Sequence, residues 1–536
     1  MKQELIDIIK SSLPKVLLDT DIVIDIEKPK VKEFGDYSTN IALKLSKVLK
    51  DNPLNIATSI IENIKSDKII KMEIKSPGFI NFFLKKDYLI DNINNVIKLD
   101  SSYGSSNIGK NKNYNIEFVS ANPTGILHLG NARGGAYGDS LSRILTFSGY
   151  NVTKEYYVND AGNQINNLGL SIKARYLEIC KKDFEMPENG YFGKEIIDIA
   201  TKLYNEFKDT LIDTPLDYFK NLGITSLLSK IIEDLKEYRI EFDKFTSEKD
   251  ITEKYNLTSI INELSKNGYT YKLDGATWFK CSALFDDVDH VLIKDDGTLT
   301  YLVPDIAYHK DKYLRGYDKM IDILGTDHHG YVARLKSSIK ALGNDESKLE
   351  VKLLQLVRLV ENGEIVKMSK RTGKSVTLSE LINEVGINAA RYYFSKYSLD
   401  TQMDFDLTLA KSTTSDNPVY YVSYAYARIC SILKDFEEVT NIDKYETLNK
   451  ESAYNVLEKV YEFPEVVENA ARKELPHLIT QYVYELATEF HMFYSKNRIL
   501  TDNETETKEN INLIKAVKIT IYNALNLIGV IPPVKM

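Results

Sequence analysis

Glu117-Phe-Val-Ser-Ala-Asn-Pro-Thr-Gly-Ile-Leu-His-Leu-Gly-Asn131 reads as a strand, a Pro/Gly turn and the opening of a helix. His128 and Asn131 stand three residues apart, so they share one helix face. A helix N-terminus carries unpaired N–H groups and partial positive charge, which suits a phosphate. Gly130 allows close backbone approach to a ligand. Outward from this stretch the pattern predicts a strand from Tyr114 to Ala121, a helix from His128 to about Ser148 with Gly149 as C-cap, and a strand from Asn151 to Val158. Strand, helix and strand in this order imply a right-handed crossover and a parallel sheet, with a nucleotide at the carboxyl end of the first strand.

The chain has 536 residues, long enough for about three or four domains. A hydrophobic fraction of 43% and a charged fraction of 27% are those of a soluble globular protein. The net charge of −8 neither suggests nor excludes nucleic-acid binding, because local basic surface matters more than the total. Cys180, Cys281 and Cys430 lie far apart and form no C-x-x-C pair. Neither a structural zinc site nor a disulfide framework is therefore expected. This cysteine usage fits a reducing cytoplasm. The first ten residues read as an acidic amphipathic helix rather than a signal peptide, and no apolar run approaches the ~18 residues of a membrane span.

Composition divides the chain. Residues 1 to about 100 alternate helical patterns with short strand candidates, such as Phe79 to Leu84. The stretch from Ser101 to Lys110, rich in Gly, Ser and Asn, reads as a linker. An α/β unit with a parallel sheet spans about 110–410, with an insertion at about 165–290. Val291 to Asp305 reads as a hairpin around Asp295-Asp-Gly297, and a second hairpin is predicted around Glu361-Asn-Gly-Glu364. Thr377-Leu-Ser-Glu380 is a capping-box pattern. From about 415 the chain reads as helix, with Val422, Tyr426, Ile429, Leu433 and Phe436 on one apolar face and a polar loop at 501–508.

A second signal lies about 240 residues beyond the first, in Lys367-Met-Ser-Lys-Arg-Thr-Gly373. Two lysines flank a short loop. Lysine is a mobile point charge suited to phosphate oxygens, and such a loop can stabilise charge developing on a triphosphate. Alone, each element also reads blandly, as a capped helix start and as a solvated basic turn.

Together, in this order, they resemble the HIGH and KMSK signatures of class I aminoacyl-tRNA synthetases. Longer phrases resemble the arginyl-tRNA synthetases: Glu117 to Gly125, His128 to Asp139, Glu155 to Gln164, Tyr301 to Tyr308, Gly325 to Gly330 and Asn417 to Arg428. The match spans nearly the whole chain. It implies a Rossmann-like parallel-sheet catalytic domain, an α+β N-terminal domain touching the tRNA corner, and an all-α C-terminal bundle for the anticodon.

The resemblance also implies roles. His128, Asn131, Lys367 and Lys370 would be catalytic. Pro123, Thr124, Gly125, His128, Gly130, Asn131, Met368 and Ser369 would hold ATP, with Mg²⁺. Glu117, Ser120, Asn122, Tyr301, Asp305 and Asp327 would hold arginine. Relatives often carry His where this chain has Asn131; asparagine donates a hydrogen bond but cannot become charged. Where relatives have Gln and His in the bundle's opening phrase, this chain has Ser423 and Tyr426. Those aromatics read either as bundle core or as platforms for unpaired bases. The implied partners are L-arginine and its tRNA, with tRNA bound before arginine is activated, in a cytoplasmic monomer.

Other readings stay open on residues alone. A glutaminyl or glutamyl enzyme is nearest by size, but Glu117 and Asp305 favour a cationic side chain. A leucyl-type enzyme would be longer, and a small nucleotidyltransferase would lack the terminal helices. A non-catalytic tRNA-binding relative would have lost His128 or the lysines.

Overall fold

The computed structural model describes residues 2–13, 23–29, 31–366, 376–436 and 442–536. Its centre is a five-stranded sheet of β1 (Asn113–Glu117), β2 (Asn151–Val158), β3 (Lys244–Ser247), β4 (Lys319–Gly325) and β5 (Leu349–Leu354). The strand order is β5-β4-β1-β2-β3 and every pairing is parallel. This is the doubly wound order, with its switch point between β1 and β4. The Rossmann-like expectation holds.

Helix α1 (Leu129–Phe147) makes the crossover from β1 to β2, and Gly149 follows it with a φ of 84°. Small residues let it sink against the sheet. A Cβ at Gly138 would stand 2.3 Å from the Phe118 ring. Its two buried charged residues are both partnered. Arg133 donates to the carbonyls of Gln355, Ser398 and Thr401 at 2.8–2.9 Å, and Asp139 pairs with Arg391 at 2.6 Å.

Three local readings change. β1 ends at Glu117, not Ala121, because Val119 and Ser120 adopt φ of 69° and 36°. For a β-branched valine this costs about 1–3 kcal/mol, and such strain gathers at functional sites. The hairpin at 291–305 is cut short. One bridge joins Ile293 to Leu299, and then helix α2 (Leu302–Leu314) begins, with Pro304 in its first turn. Proline is tolerated there because its missing N–H would be unpaired anyway. The predicted loop at 501–508 is helical from Glu504, since the Asn503 side chain accepts from the amides of Thr505 and Glu506. Acids in that first turn suit the helix dipole, and polarity alone hides this.

The stretch 165–290 is only partly an insertion. Three helices, Gly162–Ile179, Lys194–Phe207 and Leu216–Glu237, build their own core. The chain then returns to the main sheet as β3, its edge strand. Two further helices and a three-stranded antiparallel sheet (Thr270–Leu273, Ala276–Phe279, His290–Ile293) pack against α2.

At the N-terminal end a four-stranded antiparallel sheet and the helices Ile41–Leu49 and Pro53–Asn63 share a separate apolar core. The predicted linker at 101–110 is a packed seam. Tyr103 is buried, its hydroxyl donates to the Val460 carbonyl at 2.8 Å, and Asn523 bonds the carbonyls of Asp100 and Tyr103. Gly/Ser composition signals flexibility but not these distant partners.

The C-terminal helices are α4 (Pro418–Leu433), α5 (Glu451–Lys473), α6 (His477–Lys496) and α7 (Glu504–Leu527). The tyrosine-rich opening is partly core and partly exposed. Tyr426 and Val422 are core, while Tyr420 and Tyr424 stack at 5.9 Å with Tyr424 exposed. No described helix is long and apolar enough to cross a membrane.

Candidate active site

Two cavities meet at the carboxyl ends of β1 and β4. One, of about 660 Å³, runs from His128, Gly130 and Asn131 past Thr326 to the strand Val357–Glu361. The other, of about 1250 Å³, includes Glu117, Ser120, Asn122, Thr124, Gly125, Tyr301 and Asp305 in its wall. His128, Asn131 and Asp327 line both. Pro123 is buried and lines neither.

At the smaller cavity His128 is the N-cap of α1, and its backbone N–H donates to Asn131 Oδ1 at 3.1 Å. Asn131 thus closes the helix end with its carbonyl, and its NH₂ donors have no partner among the described residues. Surrounding protein pushes the His128 imidazole below its ordinary pKa, so it is a neutral donor at pH 7.

Lys367, Met368, Ser369 and Lys370 lie outside the described residues. Val366 and Val376, on either side of that segment, both line this cavity. Just beyond, Thr377 bridges to His128 and the Leu378 amide donates to the Leu127 carbonyl at 2.9 Å. The chain after the lysine motif is therefore stitched to the residues before α1. Thr377 and Glu380 form the expected capping box.

The N-cap and first turns of α2 present Tyr301, Asp305 and Tyr308 to the larger cavity, at intervals of four and three, with Lys312 buried one turn further on. Tyr331 donates to Asp305, and Arg334 donates to the Tyr301 hydroxyl at 3.0 Å. Burial holds the Asp305 carboxyl above its usual range. The Asn122 amide donates to Gln164 at 2.8 Å, and Ser120 Oγ bonds both the Tyr157 amide and Glu117 at 3.0 Å. Asp327 is on an exposed turn after β4.

Glu117 lines the larger cavity, but its carboxylate is already engaged by other side chains. Its carboxylate already accepts from Tyr308 at 2.8 Å and from the buried Lys312 ammonium. Lys312 also bonds Asp322 at 2.7 Å, which in turn takes His309 Nε2 at 2.8 Å. Asp322 is held well below the carboxylate range by these cations, whereas burial pushes Glu117 up. A carboxylate that already pairs with an internal cation has less capacity left for a bidentate fork. Glu117 anchors the floor of the cavity.

The missed residue is Glu248, just after β3. It lines the same cavity as Asp305. Burial and the neighbouring Asp305 charge push its carboxyl up to about 7. Beside it lies the Tyr157 hydroxyl, whose interaction with the Glu248 carboxyl opposes that rise. An acid one residue after the N-cap Ser247 looks in sequence like ordinary helix-start chemistry.

This gives a pH dependence with a definite sign. A carboxyl raised in the folded chain binds more protons than the unfolded one between about pH 4.5 and 7, so without ligand its ionisation lowers stability as pH rises there. A bound guanidinium favours the ionised form, so binding releases a proton. Affinity for a guanidinium ligand at this carboxyl should therefore rise from about pH 5.5 to 7.5 and then level. A Glu248→Gln variant should flatten that profile; an unchanged profile in the variant would remove Glu248 from the site.

Family comparisons agree along the chain. Residues 92–397 match the model described as "tRNA synthetases class I (R), catalytic domain". The chain belongs to the class I arginyl-tRNA synthetases. Residues 3–84 match the "Arginyl tRNA synthetase N terminal domain" and residues 422–536 the "DALR anticodon binding domain". The chain is similar to the arginine–tRNA ligase of Bacillus licheniformis, 47% identical over 549 residues that cover 100% of this chain and 98% of the relative. It is also similar to that of Staphylococcus aureus, 46% identical over 100% of this chain and 99% of the relative. The fold matches Thermus thermophilus arginyl-tRNA synthetase with a TM-score of 0.77, at 18% identity and full coverage of both chains. As an arginyl-tRNA synthetase this chain attaches arginine to tRNA in translation, using ATP.

Proposed function

We propose that the two cavities divide the substrates, with ATP phosphates at His128 and Asn131 and the arginine side chain at Asp305 and Glu248. What carries this reading is their contrast. One cavity opens on a helix N-terminus with neutral donors; the other presents carboxylates. They join where the arginine carboxylate would attack the α-phosphorus of ATP in line, giving arginyl-adenylate. No covalent enzyme intermediate is needed, so positioning and charge stabilisation suffice.

In this reading Asn122 and Ser120 orient the amino-acid end, Tyr301 covers the side chain, and Thr124, Gly125 and Gly130 let the nucleotide approach the backbone. Lys367 and Lys370 stabilise the leaving pyrophosphate, with Met368 and Ser369 beside the nucleotide. Asp327 is the one carboxylate among the described residues lining the smaller cavity. Mg²⁺ fits there chiefly through ATP's own phosphate oxygens, and it would neutralise their charge.

Residues 1–100, 110–410 and 415–536 would act as tRNA-corner, catalytic and anticodon units of a cytoplasmic monomer. Support for anticodon contact comes from the stacked Tyr420 and Tyr424, with the Arg428 guanidinium 4.4 Å over the Tyr424 ring. ATP–pyrophosphate exchange tests the whole reading. Arginine should support exchange when tRNA is present, and lysine should not. Exchange driven by another amino acid but not by arginine would sink it. Binding of tRNA should also weaken steeply with salt, by about one log unit of affinity per log unit of salt for each phosphate contacted. A flat titration would contradict a large tRNA interface.

A further inference from the structure

Behind the arginine cavity lies a second cluster that this chemistry does not use. Cys281, Asp286 and His290 converge so that one ligand atom from each lies within 4.8 Å of the others. Local structure explains the convergence. The amides of Leu284 and Asp286 both donate to the Cys281 carbonyl, at 2.9 and 3.3 Å, which folds the chain after Cys281 back on itself. The hairpin register then sets His290 opposite Phe279, two residues before Cys281. His290 Nε2 meets Asp286 Oδ2 at 2.8 Å. Cys281 is fully buried, and the side chains of Asp286 and His290 are 13% and 18% exposed.

We propose that Cys281, Asp286 and His290 bind a soft divalent cation, with Zn²⁺ the best match, and that the ion braces the wall of the arginine cavity. Sulfur and imidazole donors favour Zn²⁺ over Mg²⁺ or Ca²⁺, which prefer oxygen. Charge favours it as well. A thiolate, a carboxylate, a neutral imidazole and a divalent ion sum to zero, which a largely buried site tolerates. Binding releases the thiol proton to solvent and changes no oxidation state. Three protein ligands leave one position for water.

The surroundings are ordered for it. Asp289 accepts from the amide and hydroxyl of Ser282 at 3.0 and 2.7 Å, fixing the residue beside Cys281. The bracing follows from what the loop touches. The Phe285 amide donates to Ser337 Oγ at 3.1 Å, on helix α3 (His329–Ala341). That helix carries Tyr331, which holds Asp305, and Arg334, which holds Tyr301. The Cys281 side chain packs in the same core as Leu302 and Ile306 of α2.

The test uses the untagged full chain, stripped with a chelator and titrated with Co²⁺ and then Zn²⁺. Wild type should take about one equivalent of Co²⁺, show a thiolate-to-cobalt charge-transfer band, and lose it to Zn²⁺. Cys281→Ser should abolish the band, and His290→Gln should weaken binding by roughly tenfold or more. Zn²⁺ should raise the melting temperature of wild type but not of either variant. Absence of a band in wild type, or a band that survives Cys281→Ser, overturns the proposal. If Cys281→Ser fails to fold, the His290→Gln titration decides, and unchanged affinity there overturns it.

Discussion

Asp305→Ala should raise the arginine concentration needed for activity far more than the ATP concentration. The carboxylate faces a cavity whose proposed ligand is a guanidinium, and its removal leaves that cation partly buried without its counter-charge. Breaking such a pair costs about 3–5 kcal/mol, or roughly two to four orders of magnitude in kcat/KM for arginine. The variant also frees the Tyr331 hydroxyl that now donates to Asp305. Asp305→Asn keeps an acceptor for Tyr331 and removes only the charge, so it should lose nearly as much if electrostatics dominates. Initial rates against each substrate in turn measure this. Equal rises in both requirements would take Asp305 out of the arginine site. Lysine should not replace arginine in the wild type, because an ammonium leaves acceptors set for a planar fork unpaired, and buried unpaired acceptors are costly.

The second large effect is expected at Lys312, which touches no substrate. It is fully buried between Glu117 and Asp322. Their carboxylates raise its pKa above the ordinary lysine value despite burial, so it stays charged. Lys312→Met should destabilise the chain by about 3–5 kcal/mol, because two buried carboxylates lose their cation. Replacing all three, as Glu117→Gln, Lys312→Met and Asp322→Asn, should recover part of that loss, since no buried charge is then left uncompensated. Urea unfolding of the three-residue and single variants measures both. A single variant as stable as wild type would mean the network contributes nothing. At temperatures where the single variant stays folded, its arginine KM should rise, because Ser120 and Tyr308 lose a fixed Glu117.

Much of this was legible in the residues. The helix start at 128–131, the Gly149 stop, the strand at 151–158, the hairpin at 361–364 and the Thr377 capping box all depend on neighbours within a few positions. Periodicity and turn chemistry report such neighbours directly. The paired signatures pointed to the family because both are short, contiguous and chemically constrained.

Other features depend on partners far away in the chain. β3 joins the sheet from within a stretch that looks like an insertion, because its pairing partner is β2, some ninety residues earlier. The ion pair of Glu117 is not legible in sequence because its counter-ion, Lys312, lies 195 residues on. Glu248 became visible only once the fold set it in one cavity with Asp305 and raised its pKa. The cysteine count argued against a metal site, yet the mixed Cys281, Asp286 and His290 cluster needed a hairpin register to assemble.

Sequence by itself determined the elements around His128 and the family, because those signals are carried by residues adjacent in the chain. Tertiary structure decided which acids line the larger cavity and which of them are paired with internal cations. That choice depends on burial and on charges brought together from distant segments, and no local pattern encodes it.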